Sequence, residues 1–183
     1  INGIFIGEGA LVLDTGDPDY TISGQRVYVS RMIVKKEYRG RGIGSEILEF
    51  LINKAKEMGF DSVQFTCWQM ERYTDETAET ILNALKKYGV RISTFWCGWR
   101  GKESWMWNSY EGPLTLGIVP PHARFERILD LKKGSDFAKK LGVVNVVTHM
   151  GFIPENPSDP NFAGLVRAIK FVATHLKANG QYL

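Results

Sequence analysis

One phrase recurs along the chain: an amphipathic run with lysines near its end, then a glycine, then a short β-branched run. Its four copies place the glycine at Gly59, Gly89, Gly142 and Gly180. Glycine suits the position after a helix because it adopts positive φ at little cost, and lysines in the last turn face the negative end of the helix dipole. The phrase therefore predicts helices alternating with buried strands, which is typical of right-handed βαβ units around a parallel sheet.

Apolar residues at helical spacing delimit the helices between these glycines. Thr74 or Asp75 and Asp136 are interpreted as local caps or turn residues. We expect the strand–helix units to begin at Val27–Val34, which would serve as the first strand of the parallel sheet. The predicted helices span residues 45–58, 76–88, 125–141 and 164–178.

The first 26 residues follow a different pattern. Short apolar runs over residues 3–7 and 10–14 flank Glu8-Gly9, and the polar residues 15–19 form a loop before the next strand. Turn-forming residues between short apolar runs are typical of antiparallel hairpins. The pattern therefore predicts an N-terminal β-meander without intervening helices.

The composition excludes several classes of protein. With 44% hydrophobic and 23% charged residues, the 183-residue chain is neither a disordered tail nor a coiled coil. No run approaches the ~18 apolar residues that a membrane span needs, and the N-terminus lacks the layout of a secretion signal. We therefore expect a cytoplasmic protein without a membrane partner. A net charge of +3 is a weak argument for nucleic acid, which we do not expect as a partner.

Residues 35–45 read Lys-Lys-Glu-Tyr-Arg-Gly-Arg-Gly-Ile-Gly-Ser and join a strand to a helix. In such a loop the backbone N–H groups point together at the helix N-terminus, glycines let a ligand approach the backbone, and the helix dipole favours an anion. The basic residues add positive charge. The segment therefore predicts a small-molecule ligand that carries a pyrophosphate. The alternative is a tight strand-to-helix turn with exposed basic side chains.

The pattern Arg-x-x-Gly-x-Gly at Arg39, Gly42 and Gly44, after Val-Ser-Arg-Met-Ile-Val and a Tyr-Arg pair, resembles the acetyl-CoA motif of the GNAT superfamily of N-acetyltransferases. The resemblance covers residues 1–60, where the meander fits that family's central strands. It implies that acetyl-CoA or CoA is the cofactor, with its pyrophosphate on the loop amides and its pantetheine arm along the preceding strand. The implied cofactor-binding residues are Met32, Ile33, Val34, Arg39, Gly40, Arg41, Gly42, Ile43, Gly44 and Ser45.

From about residue 55 onward, the phrases at residues 66–68, 93–96, 112–117 and 147–152 resemble the xylose-isomerase-like sugar phosphate isomerase/epimerase barrels. The fold class is therefore α/β: an N-terminal β-meander joined to successive βα units in a partial, TIM-barrel-like parallel sheet. In such barrels the chemistry lies at the C-terminal ends of the strands. Those ends carry Cys67, Trp68, Gln69, Trp96, Cys97, Trp99, Arg100, His149 and Glu155.

These strand ends allow two interpretations. Aromatic walls and a histidine suit a sugar-like ligand, whereas packing is the simpler role for the tryptophans and a strand cap the simpler role for His149. His149 and Glu155 are too few ligands for a hard divalent ion, so we expect no metal and assign no catalytic residue. Cys67 and Cys97 each fall eight positions after a helix-ending glycine, which predicts reduced, partly buried thiols at equivalent places on neighbouring strands.

The two resemblances meet near residues 55–61, where both families have an amphipathic helix before a parallel strand. We predict GNAT-like strands, loop and helix over residues 1–60 and half-barrel repeats over residues 61–183, fused in one globular unit. The expected function is that of a chimera-like protein, natural or engineered, that retains at most an acetyl-CoA- or phosphate-binding loop without established catalysis. The alternatives are acetyl-CoA-dependent N-acetyl transfer and metal-dependent sugar phosphate isomerisation or epimerisation. Exposed edges of a half barrel favour a homo-oligomer or, alternatively, a sheet that is closed by the N-terminal meander.

Overall fold

The computed structural model describes residues 5–13, 27–106 and 108–183, apart from the side chains of Leu13, Tyr28, Ser30 and Arg31. Two compact units divide the chain: unit 1 is Ile1–Asp61 and unit 2 is Ser62–Leu183. The loop predicted over residues 15–19 and the start of the first predicted strand lie outside the described residues.

Unit 1 is a pair of antiparallel strands that carries one helix. Strand β1 (Gly7–Leu13) pairs with strand β2 (Val27–Val34), and helix α1 (Ile43–Glu57) packs on both. The register shifts between Glu8 and Ala10. A Cβ at Gly9, between them, would lie 2.5 Å from Ile47 Cγ2 and 2.9 Å from Leu51 Cδ1. The predicted turn at Glu8-Gly9 is therefore wrong: β1 runs through it, and the glycine makes room for the helix.

Strand β2 is not part of the parallel sheet. It pairs with β1 in an antiparallel register, whereas the parallel sheet begins at β3 (Ser62–Cys67). The prediction that Val27–Val34 is the first parallel strand is therefore wrong. A strand followed by a helix is a local pattern, and it does not determine which neighbouring strand receives the backbone hydrogen bonds.

Unit 2 is a series of strand–helix repeats. Its three strands form a parallel sheet in the order β3–β4–β5, and Tyr182 adds a parallel bridge to Asn145. The predicted α/β class with a partial, barrel-like parallel sheet is confirmed. After β3 the elements are α2 (Asp75–Tyr88), β4 (Arg91–Cys97), α3 (Glu111–Thr115), α4 (Pro121–Lys140), β5 (Val146–Val147) and α5 (Pro160–Ala178). Short 3-10 turns lie at Lys36–Tyr38 and Met70–Arg72.

The four glycines of the repeated phrase lie at the helix ends, as predicted. Each has a positive φ, between 57° and 92°, one or two residues beyond the last helical residue. Thr74 caps α2, because its Oγ1 accepts a hydrogen bond from Thr77 N at 3.1 Å. Helices α4 and α5 begin earlier than predicted, since Pro121 and Pro160 occupy their first positions.

Asp136 is neither a cap nor a turn residue. It lies inside α4, where its Oδ1 is 2.7 Å from His175 Nε2 and accepts a hydrogen bond from Asn179 Nδ2 at 2.8 Å. That prediction is wrong because α4 continues to Lys140, and the carboxylate serves the contact between α4 and α5 instead of a helix end.

The core of unit 2 lies where the sheet meets its helices. Phe95 contacts the rings of Phe65 and Phe137 at centroid distances of 5.7 and 5.9 Å. Helix α4 approaches β4 at Gly134, where a Cβ would lie 2.7 Å from the Cβ of Cys97. The glycine therefore lets the helix backbone reach the sheet. None of the helices in the described part of the chain is long and apolar enough to cross a membrane.

Candidate functional site

The glycine-rich loop of unit 1 leads into α1 and is exposed. Gly40 and Gly42 have φ values of 74° and 82°, and a Cβ at either would have no atom within 4 Å. Gly42 is the N-cap residue of α1, and no side chain caps the helix there. The first-turn amides of α1 are therefore left for another acceptor, beside a backbone shape that favours glycine.

Two arginines stand beside this uncapped helix start. Arg39 Nε donates a hydrogen bond to the carbonyl oxygen of Val34 at 3.0 Å, and the Arg41 guanidinium carbon lies 5.3 Å from the centroid of the Tyr38 ring. Both arginines are exposed. Open space, uncapped amides and two cations together fit a diphosphate group.

The predicted strand segment, Met32 to Val34, forms the end of β2. Val34 is the register partner of Gly7, and Lys35 N donates a hydrogen bond to the Ile6 carbonyl oxygen at 2.9 Å. The side chains of Met32 and Ile33 are 40% and 48% exposed. All ten predicted cofactor-binding residues therefore lie in one stretch, from the strand end through the loop to the first turn of α1.

In unit 2, four tryptophans and a histidine converge at the C-terminal ends of the strands. The Trp68 ring lies 6.0 Å from Trp96, 5.0 Å from Trp99 and 6.0 Å from Trp105 between centroids. Trp105 in turn meets His149 edge-on at 4.9 Å. We call these five residues the tryptophan cluster. The structure thus brings together the predicted residues Trp68, Trp96, Trp99 and His149.

Among the described residues at this end of the sheet, three buried polar atoms have no hydrogen-bond partner: Trp96 Nε1, Trp99 Nε1 and Thr148 Oγ1. Trp96 pairs with Val147 of the neighbouring strand, and Thr148 directly follows that residue. Leaving a buried polar atom unpaired costs about 1–3 kcal/mol. Nearby, Gly151 N donates to His149 Nδ1 at 3.0 Å, so a neutral His149 ring carries its proton on Nε2.

Sequence reasoning missed Trp105 and Arg127. Arg127 lies with its guanidinium carbon 5.1 Å from the Trp99 ring and donates to the Lys102 carbonyl oxygen at 3.1 Å; burial lowers its pKa. Ser104 N donates to Thr115 Oγ1 at 3.0 Å, which fixes the segment that carries Trp105. Trp105 could have been identified from the sequence because it is a tryptophan in a polar segment that offers no helix or strand for it to pack in.

The other predicted strand-end residues do not join the cluster. The Arg100 guanidinium pairs with buried Asp130, Nη2 to Oδ1 at 2.8 Å, and this hydrogen bond and charge raise the pKa of Arg100. Gln69 and Glu155 are exposed. Within residues 5–13, 27–106 and 108–183, no group of three or more His, Cys, Asp or Glu residues is placed to hold a metal ion.

Cys67 and Cys97 are register partners on β3 and β4, as their spacing predicts. Both are free cysteines, and Cys67 is half-buried. Cys97 is fully buried, and burial raises its pKa from 9.0 to about 12. The two thiols therefore differ in their surroundings although they occupy equivalent strand positions.

Comparison with known proteins supports both resemblances. Residues 2–73 match the model of the acetyltransferase (GNAT) family, and residues 52–183 match that of the xylose isomerase-like TIM barrels. Among solved structures, the chain is similar to a xylose isomerase domain protein from Planctomyces limnophilus, with a TM-score of 0.63 and 28% identity over 71% of this chain and 45% of that one. A D-tagatose 3-epimerase-like protein shares the fold, with a TM-score of 0.50 and 16% identity over 70% of this chain and 45% of that one. None of the curated proteins matches.

This chain spans about 45% of the length of each of these two solved structures. The acetyltransferase match is confined to the N-terminal region and overlaps the barrel match over residues 52–73. The barrel match is the larger and extends over most of the chain, from residue 52 to residue 183. This chain therefore belongs to the xylose isomerase-like TIM barrel family.

Proposed function

We propose that this chain is a chimera-like protein that binds CoA or acetyl-CoA through the glycine-rich loop of unit 1. The observation that carries the proposal is the uncapped start of α1 behind two left-handed glycines with open space around them. The acetyltransferase match over residues 2–73 supports CoA as the source of the anion.

Each part of the loop has a role in this proposal. The backbone amides from Gly42 to Ser45 donate hydrogen bonds to the diphosphate, and Gly40 leaves room for it. Arg39 and Arg41 supply positive charge. The backbone of Met32, Ile33 and Val34 lies along the pantetheine arm. Acetyl-CoA, when bound, supplies an activated thioester, which these residues hold and orient.

Calorimetry with CoA tests the proposal. Gly42→Trp fills the open space and puts a side chain on a residue with a φ of 82°, so we expect the heat of CoA binding to disappear. Gly59→Trp is the matched control: Gly59 also has a positive φ (92°) and open space, but it lies beyond the end of α1. Circular dichroism verifies that both variants keep their helices. An unaltered chain that gives no heat with CoA contradicts the proposal.

The unpaired Trp96 Nε1 and Thr148 Oγ1 favour a second binding function in unit 2. We propose that the tryptophan cluster binds a sugar or sugar phosphate, whose hydroxyls satisfy these atoms and whose C–H faces pack on indole rings. Trp105 is 46% exposed, so Trp105→Ala removes part of this wall without opening the core.

Tryptophan fluorescence, titrated with ketohexoses and hexose phosphates, tests this second function. We expect a saturable change in the unaltered chain, its loss in Trp105→Ala, and its retention in the control Met106→Ala, whose side chain is 62% exposed. CoA binding is expected to survive in Trp105→Ala, which separates the two sites. A titration without saturation in the unaltered chain contradicts sugar binding.

Two kinds of turnover are the alternatives to binding alone. Acetyl transfer would release the CoA thiol in the presence of an amine, and Gly42→Trp would abolish the release. Metal-dependent isomerisation or epimerisation would be stimulated by a divalent ion, and Trp105→Ala would reduce it. Sustained product formation in either assay, with the stated variant inactive, would replace the binding proposal with that reaction.

We also propose that the chain self-associates through unit 1 and resides in the cytoplasm, where its free cysteines stay reduced. Val12 and Ile33 are each 48% exposed. They lie on the same face of the strand pair, because Ile33 is the register partner of Glu8 and Val12 follows Glu8 by four residues on β1. Burying apolar surface is favourable by ~25 cal/mol per Å². Light scattering should give a mass above that of one chain, reduced by Val12→Glu. A single-chain mass at all concentrations contradicts self-association.

A further inference from the structure

A groove of about 640 Å³ lies between α4 and α5 on unit 2 and opens to solvent. On α5 it is lined by Arg167, Lys170, Phe171, Thr174, His175 and Ala178. Consecutive members of this set are one or three positions apart, so they share one face of the helix. From Arg167 to Ala178 the face is about 17 Å long at 1.5 Å per residue. The groove is therefore a linear feature about three helical turns long.

Two of the residues that line the groove are apolar, Phe171 and Ala178. Phe171 is 62% exposed although it is a large aromatic side chain on a long helix. Ala178 lies about one helical turn beyond Thr174 and is the second apolar residue of the lining. A protruding aromatic residue in a concave surface is the kind of anchor that dominates binding energy in protein interfaces.

The rim of the groove is cationic. It carries Lys132 from α4 with Arg167 and Lys170 from α5, and no lining residue is acidic. Among the described residues, none of these three cations forms an ion pair. The carboxylate of Asp136 is already engaged by the groove residue His175, at 2.7 Å, and by Asn179, at 2.8 Å. The charge of Arg167 also contributes, after burial, to lowering the pKa of Arg124.

We propose that this groove docks an acidic amphipathic helix of a partner protein, about three turns long. The ridge of a third helix fits between two packed helices. Its apolar face covers Phe171, and its carboxylates meet Lys132, Arg167 and Lys170. A membrane surface would instead require several protruding apolar side chains on a convex face, whereas this surface is concave and presents one aromatic ring.

Fluorescence anisotropy on the full chain tests the proposal with a labelled 14-residue peptide. The peptide carries leucines at helical spacing flanked by glutamates, and a matched peptide has glutamine in place of every glutamate. We expect the acidic peptide to bind at least about ten-fold more tightly than its glutamine counterpart. Added salt should weaken the acidic peptide's binding, because it screens exposed charges.

Variants locate the binding on the groove. Lys170→Glu and Phe171→Ala should each weaken the acidic peptide by about ten-fold. Lys86→Glu is the matched control, because it makes the same charge change at an exposed position of α2 that does not line the groove. The proposal is overturned if the acidic peptide does not bind or if Lys86→Glu weakens it as much as Lys170→Glu. Tighter binding to vesicles containing phosphatidylserine, abolished by Lys170→Glu, would likewise overturn it in favour of a membrane.

Discussion

The two units build their candidate sites from different parts of the polypeptide. In unit 1 the loop is made of backbone, with two left-handed glycines and an uncapped helix start. In unit 2 the tryptophan cluster is made of side chains that three strand ends and a long loop bring together. Among the described buried apolar residues, Leu51 alone belongs to unit 1. A backbone site thus needs little core beneath it, whereas a side-chain site needs packed helices and strands to hold it.

The largest effect expected from this contrast is on stability. Phe137 is 1% exposed and stacks on Tyr73 at 4.8 Å, so Phe137→Ala should lower the free energy of unfolding of unit 2 by about 3–5 kcal/mol. Phe50 of α1 is 60% exposed, and Phe50→Ala should change the stability by less than about 0.5 kcal/mol. Urea denaturation measures both. Equal losses would contradict this expectation, because the exposed Phe50 would then stabilise the chain as much as the buried Phe137.

A second effect depends on pH and falls on unit 2, which contains both cysteines. The folded pKa of Cys97 is raised from 9.0 to about 12, so between these values the unfolded thiol ionises while the folded one stays protonated. The contribution of this thiol to the free energy of unfolding is therefore fully present below pH 9. Between pH 9 and about pH 12 it should fall by about 1.4 kcal/mol per pH unit. Burial also raises the pKa of Tyr73, which acts in the same direction.

Urea denaturation at pH 8 and pH 10.5 checks this expectation. Cys97→Ala should show a smaller loss of stability over this interval than the unaltered chain, because it lacks the thiol that ionises on unfolding. Identical losses in the two proteins would show that Cys97 titrates alike in the folded and unfolded states.

The smallest effect sharpens the contrast between helix starts. Thr74→Ala removes the side-chain cap of α2 and should cost about 1 kcal/mol in thermal or chemical denaturation. Ser45→Ala, in the first turn of the uncapped α1, should cost less than about 0.5 kcal/mol and leave CoA binding nearly unchanged, since the proposed contact is its amide. A larger cost at Ser45 would indicate that its hydroxyl stabilises the helix start.

The features of the fold that depend on neighbouring residues could be predicted from the sequence. Four glycines at helix ends, the cap at Thr74 and the equivalent positions of Cys67 and Cys97 all follow from residue types within a few positions of one another. The sequence motifs that resemble the two families could be recognised for the same reason. Each of these features depends on backbone preferences that the nearest neighbours decide.

Features that depend on packing between residues far apart in the sequence could not be predicted. The strand through Gly9 depends on Ile47 and Leu51, which lie about 40 residues away in sequence. Trp105 reaches Trp68 and His149 only because the segment after β4 folds back. Asp136 is matched by residues of the next helix. No spacing rule in the sequence connects these positions.

The close approach of α4 to β4 also limits how the protein can be improved or diversified. Replacing a helical glycine with alanine ordinarily adds roughly 0.5–1 kcal/mol of stability. At Gly134 the added methyl would collide with Cys97, because the methyl carbon would lie only 2.7 Å from the Cys97 Cβ. An engineer scanning for such gains should therefore expect Gly134→Ala to fail alone, and to be accommodated only when Cys97 is replaced by glycine in the same variant, because every other residue at position 97 keeps the Cβ.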